Sequence, residues 1–236
     1  IINGLVYLIQ ISLPKLIHLD VTNIFALHYW GSPFFNLYQF VTHIFMHDPN
    51  NIFHLLFNMF ALWMFGSALE NIWGSKRFLI FYMICGLGAA LCYMLVLTWR
   101  FHHLIGQAGL TMDQAKLLLL HIEQNVNDSF INPQNIGQIR NIWGIWSAPT
   151  LGASGAIFGV LVAFGYLFPN SALYIIPIPF PVKAKYVVIG YIILELGLGV
   201  YNSAGDNVAH FAHLGGALVG FLLVRSWNKT DRRNFY

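Results

Sequence analysis

Charge is what this sequence has least of. Only 9% of its 236 residues are Asp, Glu, Lys or Arg, against about 25% in soluble domains, while 57% are hydrophobic. A surface drawn from that composition does not face water for the most part, which excludes an ordinary soluble domain and points to a polytopic membrane protein. The net charge of +3 is small, and no run of basic residues is interleaved with aromatics, which excludes nucleic acid as a partner. Cysteine is scarce too. Cys85 and Cys92 sit in one apolar segment, which argues against both a disulfide framework and a zinc site. His-Glu-x-x-His, the helical signature of zinc proteases, is missing. The start, Ile1-Ile2-Asn3, has no basic stretch followed by a small-residue cleavage site, so no signal peptide is recognisable.

What is present is a series of apolar runs separated by two long inserts. A helix that crosses a bilayer needs about 20 apolar residues, fewer when protein shields it. The runs predict six spans in one domain, residues 1–236. They lie at Ile1–Leu13 (closed by Pro14-Lys15), Ile52–Trp73, Phe78–Thr98, Ala153–Phe168, Tyr186–Val200 and Val208–Val224. Residues 15–51, rich in aromatics and holding His18, His28, His43 and His47, suit an interfacial loop. The second insert covers 101–150. In it Thr111-Met112-Asp113-Gln114 has the form of a capping box, opening a short surface helix over Ala115–Glu123, and Trp143 and Trp146 suit the interface belt. A turn with Pro177, Pro179 and Pro181 precedes the fifth span.

Lysine and arginine set the orientation. Lys76, Arg77, Lys183, Lys185, Arg225, Lys229, Arg232 and Arg233 fall on one side, and Lys15, Arg100, Lys116 and Arg140 on the other. That asymmetry puts both termini in the cytoplasm and both inserts outside. The compact layout suggests a bacterial inner membrane.

The polar residues inside the apolar runs share a depth. His54 and Asn58 occupy the first two turns of the second span, Ser154 the first turn of the fourth and His213 the second turn of the sixth. Each lies within roughly 10 Å of where its helix begins, at about 1.5 Å per residue. The i,i+4 spacing puts His54 and Asn58 on one face, and likewise places the Phe158 ring one turn below Ser154, where it could support an imidazole. Gly216 and Gly220 form a seam that can close against Gly155 and Gly159 with backbones nearly touching, bringing Ser154 to His213. A hydroxyl and an imidazole so paired make a nucleophile and its base. Taken singly, a serine among glycines or an asparagine in an apolar helix more often packs; the agreement of three segments favours chemistry. No acid stands at an evident position to orient His213, and Phe158 packing takes that part. Glu195 is costly in lipid but is read as pairing with some neighbouring polar group, outside the site. His210 is read as interfacial or structural, and His43 and His47 as bracing the loop.

On these residues the chain resembles the rhomboid intramembrane serine proteases: six spans, a large first external loop, and in order His54-x-x-x-Asn58, Gly152-x-Ser154-Gly155 and His213-x-x-Gly216-x-x-x-Gly220. Gly66-Ser67-Ala68-Leu69-Glu70 also looks like the family's end of span two. The resemblance implies an all-α, six-helix membrane bundle and a serine-type endopeptidase. Ser154 would be the nucleophile and His213 the general base, with His54, Asn58 and the Ser154 N–H as the oxyanion hole. It implies no cofactor and no metal, and as partners the lipid bilayer and single-span membrane proteins cut near the outer boundary. Two departures stand out: Tyr38-Gln39 where members often carry Trp-Arg in the first loop, and Phe158 where many place Tyr. The rival readings are a non-catalytic relative that only binds membrane helices, and a membrane protein using its histidines for metal or haem.

Overall fold

A computed structural model describes residues 1–123, 131–174, 179–201 and 207–230. The apolar runs become helices. Helix α1 (Ile2–Ile17) continues through Pro14 and stops at His18, whose backbone is left-handed at φ 57°. The helix therefore runs four residues past the expected end at Leu13, and Pro14 sits in its last turn without ending it. Residues 18–51 are less irregular than expected. They hold α2 (Val21–Phe25), capped by Asp20, then α3 (Gln39–Thr42) and a 3₁₀ turn at His43–Phe45.

Helix α4 (Ile52–Ala61) starts at Asn51, whose side-chain oxygen accepts from the Phe53 N–H at 3.1 Å. It passes through a π turn at Leu62–Gly66 into α5 (Ser67–Trp73), giving one apolar helix of 22 residues. Helix α6 (Ser75–Gln107) has 33 residues, about 50 Å of length against a hydrocarbon layer of about 30 Å. The 101–150 insert thus begins on a helix, not a loop.

The surplus end of α6 is the platform for that insert. Helices α7 (Met112–Glu123) and α8 (Ile136–Ser147) lie on it, with Ala115, Leu119 and Ile142 packed against Phe101, Leu104 and Ile105. Thr111 and Gln114 exchange the two hydrogen bonds of a capping box, at 2.8 and 3.2 Å. Trp146 does not face outward as a belt residue would. It is buried, stacked near Phe101, and its Nε1–H donates to Glu123 Oε1 at 3.2 Å. A second hydrophobic core explains these residues where an exposed insert would not.

Helix α9 (Ser154–Leu167) follows, then a two-stranded ribbon, β1 (Ala172–Leu173) with β2 (Val182–Lys183), and helices α10 (Ala184–Tyr201) and α11 (Asn207–Thr230). Pro177, Arg232 and Arg233 lie outside the described residues. Among the described helices, Ile52–Trp73 and Ser75–Gln107 are long and apolar enough to cross a membrane; Ile2–Ile17 and Ser154–Leu167 are apolar but shorter. The main core joins α6, α9 and α11, and nearly all of α9 is enclosed. Leu8, Phe57, Trp63, Leu95, Ile193 and Leu222 point outward, an apolar surface of the kind that lipid covers.

Gln39 takes over the anchoring of the first loop. It is fully buried, and its Oε1 accepts from the His28 and Asn36 N–H groups at 3.2 and 3.1 Å. Its Nε2 donates to the Ile24 and Phe34 carbonyls, each at 3.0 Å. Two donors and two lone pairs are the whole capacity of an amide side chain. Gln39→Leu strands several buried backbone groups at about 1–3 kcal/mol each. A marked fall in the thermal unfolding midpoint in detergent is expected, and an unchanged midpoint would refute the anchoring role.

Candidate active site

Ser154 opens α9 two residues after a glycine that no other residue replaces easily. Gly152 has φ 127°, a conformation L-residues rarely adopt, and its N–H donates to the His43 carbonyl at 3.0 Å, sewing the first loop to the entry of α9. A Cβ at Gly152 would stand 3.0 Å from His54 Nε2 and 3.7 Å from Ser154 Oγ. The glycine therefore keeps a gap open between those two polar groups. No side chain caps α9, so the first N–H groups of the helix have no partner within it.

His213 of α11 reaches this position with Nε2 2.8 Å from Ser154 Oγ. The Phe158 ring lies flat on the imidazole, with centroids 4.4 Å apart and planes 7° from parallel. Tyr191 of α10 meets Phe158 edge-on. The glycine seam brings the two helices together: Gly216 backs onto the Gly155 carbonyl, and Gly220 onto Gly159.

An acid does face His213, contrary to the sequence-based expectation. Glu195 of α10 is buried at 6% exposure, and its Oε2 lies 3.1 Å from His213 Nδ1 and 2.6 Å from His210 Nδ1. The neighbouring polar group expected for Glu195 is the site itself, and His210 shares the same oxygen. Among the described residues these three form the one set of His, Cys, Asp and Glu side chains that could hold a metal ion, with ligand atoms within 4.8 Å of one another.

His54 accepts the Asp48 N–H at Nδ1, at 3.3 Å. A neutral imidazole that accepts there carries its proton on Nε2, the nitrogen at the Gly152 gap. Asn58 is buried one turn on, and its amide nitrogen donates to the His54 carbonyl at 2.8 Å. Among its described hydrogen bonds none goes to Ser154. Beside the pair lies a cavity of ≈ 40 Å³, lined by His43, Tyr93, Thr150, Gly152, Ser154 and His213 among others, room for one or a few waters. His43 donates to the Gln39 carbonyl through Nδ1–H, at 2.8 Å, and burial pushes its imidazole down to about 4. Burial, with His54 nearby, does the same to His47. His47 is held by Gln10 of α1, which bonds its N–H at 3.0 Å and its carbonyl at 2.9 Å. Both histidines are neutral at pH 7; His43 ties the loop through its ring, whereas His47 is held by its backbone and its ring nitrogens have no hydrogen-bond partner among the described residues.

A bundle of apolar helices with a serine hydroxyl and an imidazole paired in its interior defines a class of membrane protein. The chain belongs to the rhomboid family: residues 35–227 match the Rhomboid domain. It is therefore an integral membrane protein. It is similar to Rhomboid protein 1, mitochondrial, of Saccharomyces cerevisiae, 29% identical over 174 residues, covering 72% of this chain and 36% of the relative. It is also similar to Rhomboid protease AarA of Providencia stuartii, 27% identical, covering 72% and 49%, and to Rhomboid protease GluP of Bacillus subtilis, 28% identical, covering 72% and 22%. The chain spans half or less of the length of each of these relatives. A mitochondrial relative among them leaves the expected bacterial inner membrane without support.

Proposed function

We propose that the chain is an intramembrane serine endopeptidase that cuts the transmembrane helix of single-span proteins near one membrane boundary. The observation that carries this reading is the 2.8 Å contact of Ser154 Oγ with His213 Nε2. His213 takes the hydroxyl proton as Oγ attacks the scissile carbonyl carbon. The tetrahedral oxyanion meets the Ser154 N–H and the His54 Nε2–H across the gap at Gly152, with Asn58 completing the hole after its amide turns from the His54 carbonyl. Such donors are worth about 2.7–4 kcal/mol each in favourable cases. His213 passes the proton to the leaving amine, which departs and leaves the acyl group on Ser154. Water from the adjacent cavity then gives a proton to His213 and its hydroxide to the acyl carbon; as the Oγ–acyl bond breaks, His213 returns that proton to Ser154 Oγ, releasing the acid and restoring both residues.

The span reading is α1, the joined α4 and α5, α6, α9, α10 and α11. Helix α9 has 14 residues, about 21 Å, short of the hydrocarbon thickness. Its enclosure by neighbours suits a span that need not reach both surfaces, and sets its starting residue below the boundary. His54, Ser154 and His213 then lie toward the side of the two inserts, with both termini on the other.

A tagged alkyl fluorophosphonate added to the protein in liposomes tests the reading. Labelling of the wild type is expected, lost in Ser154→Ala and indifferent to a chelator. Cleavage of a membrane-helix substrate that survives Ser154→Ala would overturn it. The same experiment separates a metal- or haem-binding protein and a non-catalytic helix binder, neither of which takes the label.

A further inference from the structure

We infer that Glu195 is a positioning residue for His213, held in place by His210, so that the site works as a triad spread over α9, α10 and α11. This rests on the serine-protease reading above. The geometry points to it through a single oxygen: Glu195 Oε2 faces His210 Nδ1 at 2.6 Å and His213 Nδ1 at 3.1 Å, while His213 Nε2 faces Ser154 Oγ at 2.8 Å. The His210 contact is a hydrogen bond, and a carboxylate oxygen only accepts, so that Nδ1 carries the proton of its ring. The His213 contact is at ion-pair distance but outside hydrogen-bond geometry, and His213 Nδ1 has no other partner among the described residues, so the carboxylate is the one group there to receive its proton. A proton on His213 Nδ1, drawn by the carboxylate 3.1 Å away, stands on the side away from the serine and leaves the Nε2 lone pair for the hydroxyl. When the serine proton arrives at Nε2, the imidazolium has a carboxylate behind it and the Phe158 face against it, and both favour the cation.

The bundle is built to make this contact. Glu195 lies six residues before the end of α10, and His213 six after the start of α11, so consecutive helices running in opposite directions bring them to one depth. Gly199, one turn beyond Glu195, lies where a Cβ would be in ordinary van der Waals contact with His210 Cβ at 3.6 Å and the Phe211 ring at 3.5 Å, so α10 and α11 pack against each other at this level. An ionised acid in this interior is costly alone, and the His210 hydrogen bond, with His213 Nδ1 at 3.1 Å, answers that cost. His210 has no contact with Ser154 among those described; its part is to keep the carboxylate ionised and aimed. A metal ion fits the same atoms less well, because donors 2.6 Å apart stand at hydrogen-bond distance, closer than two ligands about 2 Å from one ion usually sit.

Glu195→Gln, close to isosteric, is the test, with kcat and KM measured on a single-span substrate in proteoliposomes. A loss of about 10²–10⁴ in kcat is expected from a wrong tautomer or an unsupported imidazolium, with KM and the thermal midpoint nearly unchanged. Nitrogen NMR of histidine-labelled protein should find His213 protonated at Nδ1 and bare at Nε2 in the wild type, with that preference lost in the variant. His210→Gln should lower kcat in the same direction by less. A wild-type kcat in Glu195→Gln, a loss that follows the melting temperature, or wild-type activity raised by a chelator would each overturn the inference. If Ser154→Ala abolishes cleavage and Glu195→Gln does not, this inference alone fails. If Ser154→Ala leaves cleavage intact, the parent reading has failed first.

Discussion

His213→Ala is expected to remove nearly all proteolysis, by about 10⁶ in kcat if the pair behaves as other serine–histidine units do. The size follows from the division of labour. A serine hydroxyl is a poor nucleophile without a base, and among the described contacts the Ser154 Oγ meets one nitrogen, His213 Nε2, at 2.8 Å. Groups that act as a unit lose the same function once. The double variant Ser154→Ala, His213→Ala should therefore be no slower than either single one. Single-turnover cleavage of a reconstituted substrate gives the comparison. Losses that multiply in the double variant would mean that the two residues contribute separately, and the shared proton transfer would be refuted. Binding of a substrate helix should persist in all three, since neither side chain lies on the outward apolar surface.

The difference between what was and was not legible in the sequence is one of helix register. Ser154, Phe158 and His213 carried their own spacing signals: GxSG at a helix start, i,i+4 along α9, and HxxGxxxG along α11. A glycine seam fixes both the approach and the register of two helices, so those residues meet as the pattern predicts. Glu195 carried no such signal, because nothing in the run Tyr186–Val200 says how α10 is rotated against α11. The cost of an acid in an apolar run did predict a partner. The shared six-residue offset from the facing ends of α10 and α11, together with two histidines three residues apart, was the signal that could have named it. Chain length misled in a similar way at the 101–150 insert. Trp99-Arg100 suggested an end to the span, whereas Phe101, Leu104 and Ile105 continue the helical stripe and build a second core. Gln39 shows the reverse case: the motif looked like a departure from the family, and the buried amide meets the same need for a loop anchor with four hydrogen bonds of its own.

Gly216→Val should damage the protein more broadly than any change at the chemistry itself. A Cβ at Gly216 runs into the Gly155 carbonyl oxygen, and one at Gly220 would lie 2.5 Å from Gly159 Cα and 2.7 Å from its oxygen. On the facing helix, a Cβ at Gly155 would come within 2.6 Å of Ala89 Cβ, and one at Gly159 within 2.5 Å of Cys85 Sγ. Three helices therefore close on each other along glycine backbones, and the atoms in the way at Gly216 are backbone with no rotamer to yield. Overpacking a core costs about 1–3 kcal/mol when side chains can shift, and more when they cannot. Separation of α9 from α11 moves His213, one turn from Gly216, away from Ser154. Both stability and fluorophosphonate labelling should then fall together, already in Gly216→Ala and further in Gly216→Val. Gly190→Ala and Gly197→Ala are the matched controls, because nothing lies within 4 Å of a Cβ at either position. In a helix interior alanine is favoured over glycine by about 0.8–1 kcal/mol, so these variants should melt no lower than the wild type. Equal losses at all three glycines would show that helix flexibility, and not the closeness of α9 to α11, is what the glycines supply.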